Sequence, residues 1–277
     1  MISSASAGSN RDLVKRFTHK AERNALEALF MVEQEAIQSL HVSLNHSVSH
    51  SRLDWWSEEL QHLKHGVARH PQTRHLSTAA PLASTPDLCG IISSLRMDIA
   101  KVVYLSRSEL NEYFQHCSAS IFKKAALGGL HSQAVRKIGQ LFAISAGSAI
   151  REIELLREFA NHAHQGRIYT PLTGQHDLWR AQPWAFSEAA QLGQQLRDAT
   201  TQLRLASLSL PVTHRSTLRT ALLWSSLATH DAQDISAALP YQYKPKRISG
   251  IRHTFRAWRA ACAIERHALP SILEKSV

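Results

Sequence analysis

Residues 132–161, SQAVRKIGQLFAISAGSAIREIELLREFAN, keep one apolar face at steps of three and four over their whole length. Val135, Ile138, Leu141, Phe142, Ala146, Ala149, Ile153, Leu156 and Ala160 mark that face. The spacing predicts one long amphipathic helix, which stops at the turn GRIYTPL (166–172). The same period runs through 11–44, 87–105, 106–129, 186–209, 212–229 and 248–268. SLNHSVSHS (43–51) breaks it and predicts a turn or cap. RLDWWSEELQHLKHG (52–66) predicts a short helix capped by Gly66, with one tryptophan of Trp55 and Trp56 in the core and the other near the surface. Pro81, Pro86 and their Ser and Thr neighbours predict a loop over 77–86. Alternating strand segments and fixed-period repeats are absent from the sequence. The expectation is an all-α single domain of about eight or nine helices over 11–277, behind a disordered Ser-rich lead at 1–10.

Hydrophobic residues make up 44% of the chain and charged residues 19%, so it can bury a sizeable core. Cys89, Cys117 and Cys262 are far apart and form no CxxC pair, which argues against a disulfide framework. No run of about 18 apolar residues predicts a membrane span. These features predict a cytoplasmic protein and leave peripheral contact with the inner membrane open. The formal charge of +10 and a pI near 9.9 favour anionic partners. Basic residues are dispersed, which makes nucleic acid a poor fit. The local cluster YKPKRISGIRHTFRAWR (243–259) places Arg252, Arg256 and Arg259 on one helix face. A diphosphate, a lipid headgroup or an acidic protein fits such a face; a solvated basic surface is the plainer reading.

Within 151–164, Glu154, Glu158 and His162 recur at steps of four. Three ligands on successive turns span about 12 Å, too far for one ion, so Glu158 and His162 are the pair able to share a metal. The alternative is a set of ion pairs among Arg151, Glu154 and Glu158. The 17 histidines include one HxxxH spacing, His46–His50, with no cysteine beside it, a weak zinc signal. No GxSxG elbow is present, so a serine hydrolase triad has no support. The small residues of ISAGSAI point to close helix packing.

RLDWWSEEL followed by His70-Pro71, then RMDIAKVVYLSRSELNEYFQHCSAS, then GRIYTPL closing a long helix, together resemble the squalene and phytoene synthase family. The Trp-Trp helix is similar to that of its proteobacterial branch, whose general pattern mitochondrial complex I assembly factors share. The resemblance covers about residues 20–265 and rests on the order of the motifs rather than on any one of them. It implies the all-helical isoprenoid synthase fold with a central cavity. It also implies head-to-head joining of two prenyl diphosphates, with Mg²⁺ held by two opposed DxxxD motifs.

The resemblance places the second motif on Glu158 and His162, with Arg157 at the family's arginine and Glu154 at its asparagine. The first motif falls near Ile37 and His41, and no aspartate lies between Asp12 and Asp54. Asp98 and Tyr113 match family positions, and Arg167 and Tyr169 belong to the closing turn. With Glu35, these nine residues other than Ile37 and His41 are the ligand or diphosphate-binding candidates. Both acidic pairs are broken. The leading expectation is therefore a degenerate relative that binds a prenyl diphosphate or lipid-like ligand, or acts as an assembly or interaction factor with a protein partner. The second is an active Mg²⁺-dependent prenyltransferase in which Glu33, Glu35, Glu154 and Glu158 replace the aspartates.

Overall fold

The structure is a computed structural model and describes residues 9–39, 46–79, 88–127, 133–171, 182–244 and 249–274. The described residues form α1 (Asn10–Phe17), α2 (Lys20–Gln38), α3 (His46–Lys64), α4 (Pro71–Ala79), α5 (Cys89–Ala100), α6 (Arg107–Leu127), α7 (Gln133–Arg157), α8 (Phe159–His164), α9 (Phe186–Leu208), α10 (Arg219–Ser236), α11 (Ser249–Glu265) and α12 (Ser271–Glu274). No strand occurs among them. No helix among them is long and apolar enough to cross a membrane.

The long amphipathic stretch folds as α7, packed chiefly against α6 and α9. Gly147 permits the α6 crossing: a Cβ there would lie 3.1 Å from Cβ of Phe122. Buried Glu152 joins the three helices, accepting from the Arg107 guanidinium of α6 and from Gln195 Nε2 of α9 at 3.3 Å. Helix α10 is buried on nearly all sides through Ala221–Thr229, the mark of a central helix. Two of its buried hydroxyls are satisfied within the helix: Ser225 donates to the Ala221 carbonyl and Thr229 to the Ser225 carbonyl, both at 2.9 Å.

Several boundaries differ from the sequence reading, and long-range contacts explain two of them. The stretch 11–44 is two helices, because α10 grips the chain between them. Arg219 Nε donates to the Phe17 carbonyl at 2.9 Å, and the Thr18 and Thr220 hydroxyls meet at 2.6 Å. Thr18 and His19 are extended there, with ψ of 156° and 140°. Ser9 and Asn10 are not part of a disordered lead: Ser9 Oγ caps α1 by accepting from the Asp12 N–H, and Asn10 Nδ2 donates to buried Asp231 at 2.7 Å. The turn predicted at 43–51 is helical from His46, and α4 extends through Ala79; residues 80–87 lie outside the described residues. The helix predicted from 212 begins at Arg219, after a 3-10 turn at Val212–His214.

The tryptophan pair divides as expected. Trp56 is buried and donates from Nε1 to Ser39 Oγ at 3.1 Å, whereas Trp55 is exposed. One turn on, buried Glu59 fastens α3 to the start of α4. Burial pushes its carboxyl up, but the Thr73 hydroxyl and the backbone N–H groups of His70 and Arg69 outweigh that and hold it below the usual carboxylate range.

Candidate functional site

The closing helix of the sequence reading is interrupted where the candidate ligands lie. Helix α7 ends at Arg157, Glu158 leaves helical geometry (φ −103°, ψ 16°), and α8 begins at Phe159. Gln242 fills the break: its Oε1 accepts from the Ala160 N–H at 2.9 Å while its Nε2 donates to the Arg157 carbonyl. Even so, Glu154, Glu158 and His162 stay on one wall. With Arg151, Arg157 and α1 residues including Arg11, they line a cavity of about 50 Å³, room for a small polar group.

Arg11 dominates the electrostatics here. Its guanidinium makes a two-pronged pair with Glu33 of α2 and reaches Glu154 of α7 at 3.3 Å. The rings of Phe30 and Trp224 cover it at 5.4 and 5.6 Å. Burial lowers the guanidinium pKa, but the charges of Glu33 and Glu154 more than offset it, so Arg11 stays protonated. Two walls that would face one another with carboxylates thus face one another through an arginine of the chain itself. Arg151, also buried, makes a second contact to Glu154 at 3.4 Å.

The other candidates divide into two groups. Asp98 lies buried on α5 and accepts from the hydroxyls of Tyr113 (2.9 Å) and Tyr169 (2.8 Å), whose rings stack at 5.5 Å. Burial pushes the Asp98 carboxyl up, against the pull of Tyr169, Arg151 and Arg167. The His162 ring stands edge-on to Tyr169 at 5.3 Å; burial, with Arg151 and Arg167 nearby, lowers its pKa to about 3, so it is neutral. Arg157 pairs with Asp231 of α10 at 3.0 Å. Glu35 joins neither group: it pairs with His70 Nε2 at 3.1 Å on the α4 side. Two positions apart on a helix are about 200° apart, so Glu33 and Glu35 cannot share a face.

Tyr169 reaches Asp98 because the chain turns sharply at Gly166, whose φ of 75° is left-handed. A Cβ there would also lie 3.4 Å from Lys101 Nζ, at the end of α5. Gly166→Ala is expected to lower stability by about 1 kcal/mol in urea unfolding, chiefly from the backbone conformation.

This donor set does not fit Mg²⁺. A hard dication seeks several carboxylate oxygens. At the aligned first motif stands Ile37, packed in the hydrophobic core, while His41 is outside the described residues. At the second stand neutral His162 and Glu158, whose Oε2 accepts from Asn161 Nδ2 at 2.8 Å. Among the described residues no three of His, Cys, Asp and Glu converge as a metal-ligand set. What the wall carries instead is arginine: buried Nε of Arg151 and Nε of Arg157 have no hydrogen-bond partner, and neither has Nδ1 of neutral His162. Sequence reasoning missed Arg11 and Gln242, whose contacts cross 143 and 82 residues and leave no local pattern.

The helical architecture around this cavity is the isoprenoid synthase fold. A dehydrosqualene synthase, whose crystal structure is a complex with a ligand, superposes with a TM-score of 0.70 at 14% identity over 90% of both chains. The squalene synthase HpnC from Alicyclobacillus acidocaldarius gives a TM-score of 0.62 at 17% identity, over 82% of this chain and 87% of that one. The squalene/phytoene synthase family model matches residues 5–182, and the chain belongs to that family. Comparison with curated protein sequences gives no match.

Proposed function

We propose that this protein is a catalytically degenerate squalene/phytoene synthase relative whose cavity binds the anionic head of a prenyl diphosphate or a comparable lipid through its own arginines. One observation carries the reading: Arg11 occupies the space between Glu33 and Glu154 and satisfies both carboxylates. A cation built into the chain already engages Glu33 and Glu154, with Arg151 also on Glu154, so these two carboxylates are poor ligands for a dication. The unpartnered Nε–H donors of Arg151 and Arg157 on the same wall suit phosphate oxygens. Ionising a diphosphate needs its leaving charge neutralised as the bond breaks, and fixed arginines that are already paired supply less of that than clustered metal.

Incubation with farnesyl or geranylgeranyl diphosphate and Mg²⁺ is expected to give no head-to-head product, while titration calorimetry detects diphosphate binding with Mg²⁺ omitted. Glu158→Ala is expected to leave that binding unchanged or tighter, since it removes a negative charge from the wall. Mg²⁺-dependent product formation that Glu158→Ala abolishes would overturn the reading in favour of an active prenyltransferase using glutamates.

A further inference from the structure

Helix α11 carries a surface that the cavity does not explain. Its inner face, including Ala257, Ala260, Ala261 and Ile264, is buried. Its outer face presents Ile251 (81% exposed), Phe255 (54%) and Trp258 (50%) at helical spacing, the last two rings 5.6 Å apart. Three large apolar side chains in water on one stripe call for a covering surface. The arginines beside them differ in state. Arg256 is tied to Asp234 at 2.7 Å, whereas Arg252 and Arg259 make no ion pair with any described residue; Arg259 lies 6.0 Å over the Phe255 ring.

Between this face, α10 and the start of α12 lies a cavity of about 520 Å³, lined in part by Arg252, Phe255, Arg259 and Ile272. On its α10 side are Ser226 and His230, one helical turn apart. Ser226 is 1% exposed, and unlike Ser225 and Thr229 its hydroxyl finds no partner; neither does buried His230 Nδ1. An unsatisfied buried hydroxyl is costly, so these two atoms behind the cavity wall would gain from a ligand's polar atom. The size suits a glycerophosphate head with its first methylenes.

We propose that the α11 face is a docking surface for an acidic phospholipid bilayer, with a phospholipid phosphate seated in the α10–α11–α12 cavity. Arg252 and Arg259 meet the phosphate charge, and Ser226 and His230 offer hydrogen bonds deeper in. Ile251, Phe255 and Trp258 enter the region between headgroups and acyl chains. Phosphate charge and adjoining apolar chains occur together at a membrane surface, which is why the occupant is a bilayer rather than a soluble anion. The proposal does not depend on the reading of the central cavity.

The test is co-sedimentation of the full chain with vesicles of phosphatidylcholine alone and of phosphatidylcholine with phosphatidylglycerol. The protein is expected to pellet with the acidic vesicles, to stay in solution with the neutral ones, and to release as salt rises. Arg252→Gln with Arg259→Gln is expected to lower partitioning about thirtyfold. Phe255→Ser with Trp258→Ser is expected to lower it about tenfold or more. These four side chains are exposed, so circular dichroism of both variants should match the parent. Ser226→Val, which removes the unpartnered hydroxyl without touching the outer face, is expected to weaken binding several-fold. Equal pelleting with neutral vesicles, or acidic-vesicle binding that survives both double substitutions, overturns the proposal. Binding unchanged by Ser226→Val overturns the cavity as the phosphate seat.

Discussion

Arg11→Met is expected to destabilise the protein by about 3–5 kcal/mol, a large part of the stability of an ordinary domain. The substitution removes the guanidinium that lies over Phe30 and Trp224, strands Glu33, which is 4% exposed, and leaves Glu154 with Arg151 alone. Urea unfolding followed by circular dichroism measures the loss. Adding Glu33→Leu to Arg11→Met should recover much of it, because removing both members of a buried pair avoids the isolated charge. A loss below about 1 kcal/mol, or no recovery in the double variant, would mean that Glu33 finds water or another cation. The picture of an internal cation holding α1, α2 and α7 together would then fail.

The second large effect is in pH dependence. An unfolded histidine titrates near 6.5, while native His162 is held at about 3 by burial, Arg151 and Arg167. Between those values the unfolded chain binds a proton that the native chain does not, so stability falls as pH falls from about 6.5 towards 3. The contribution across that window is on the order of a few kcal/mol. His230, held at about 4 by burial and Arg256, pulls the same way, as does His253. Buried Asp98 and Asp231 oppose them, because burial raises their pKa and the native state binds their protons more readily. The informative quantity is therefore the difference between the parent and His162→Phe, which keeps a ring against Tyr169. The variant should lose less stability on acidification. Parallel stability curves from pH 7 to pH 4 would show that His162 protonates freely in the folded protein.

The shared wall of Glu154, Glu158 and His162 is legible in the sequence. The steps of four from Glu154 to His162 put them on one wall, and there they are, lining one cavity. The absence of aspartates around 30–44 was equally plain, and Ile37 in that stretch is packed in the core. The partners of these residues were not readable. Glu154 could have faced water, a metal or any of several cations; Arg11 was one basic residue near the start of the chain. Glu33 and Glu35 looked equivalent in sequence, and helix geometry sends one to Arg11 and the other to His70. The basic face of α11 was visible as Arg252, Arg256 and Arg259, but not that Asp234 ties down the middle one and leaves its neighbours beside a cavity.

By itself the sequence determined the helical class, the long helix α7 and the family motifs, because each of these is written in residues a few positions apart. The period of an amphipathic helix, a Gly at a left-handed turn and a Trp-Trp pair are all local records of how the backbone runs. Only the tertiary structure decided where α1 parts from α2, how Gln242 spans the break at Glu158, and which charge answers Glu33. Those outcomes depend on side chains brought together from distant helices, where burial makes each unpaired polar group costly. The nearest available partner, rather than the nearest in sequence, then sets the arrangement.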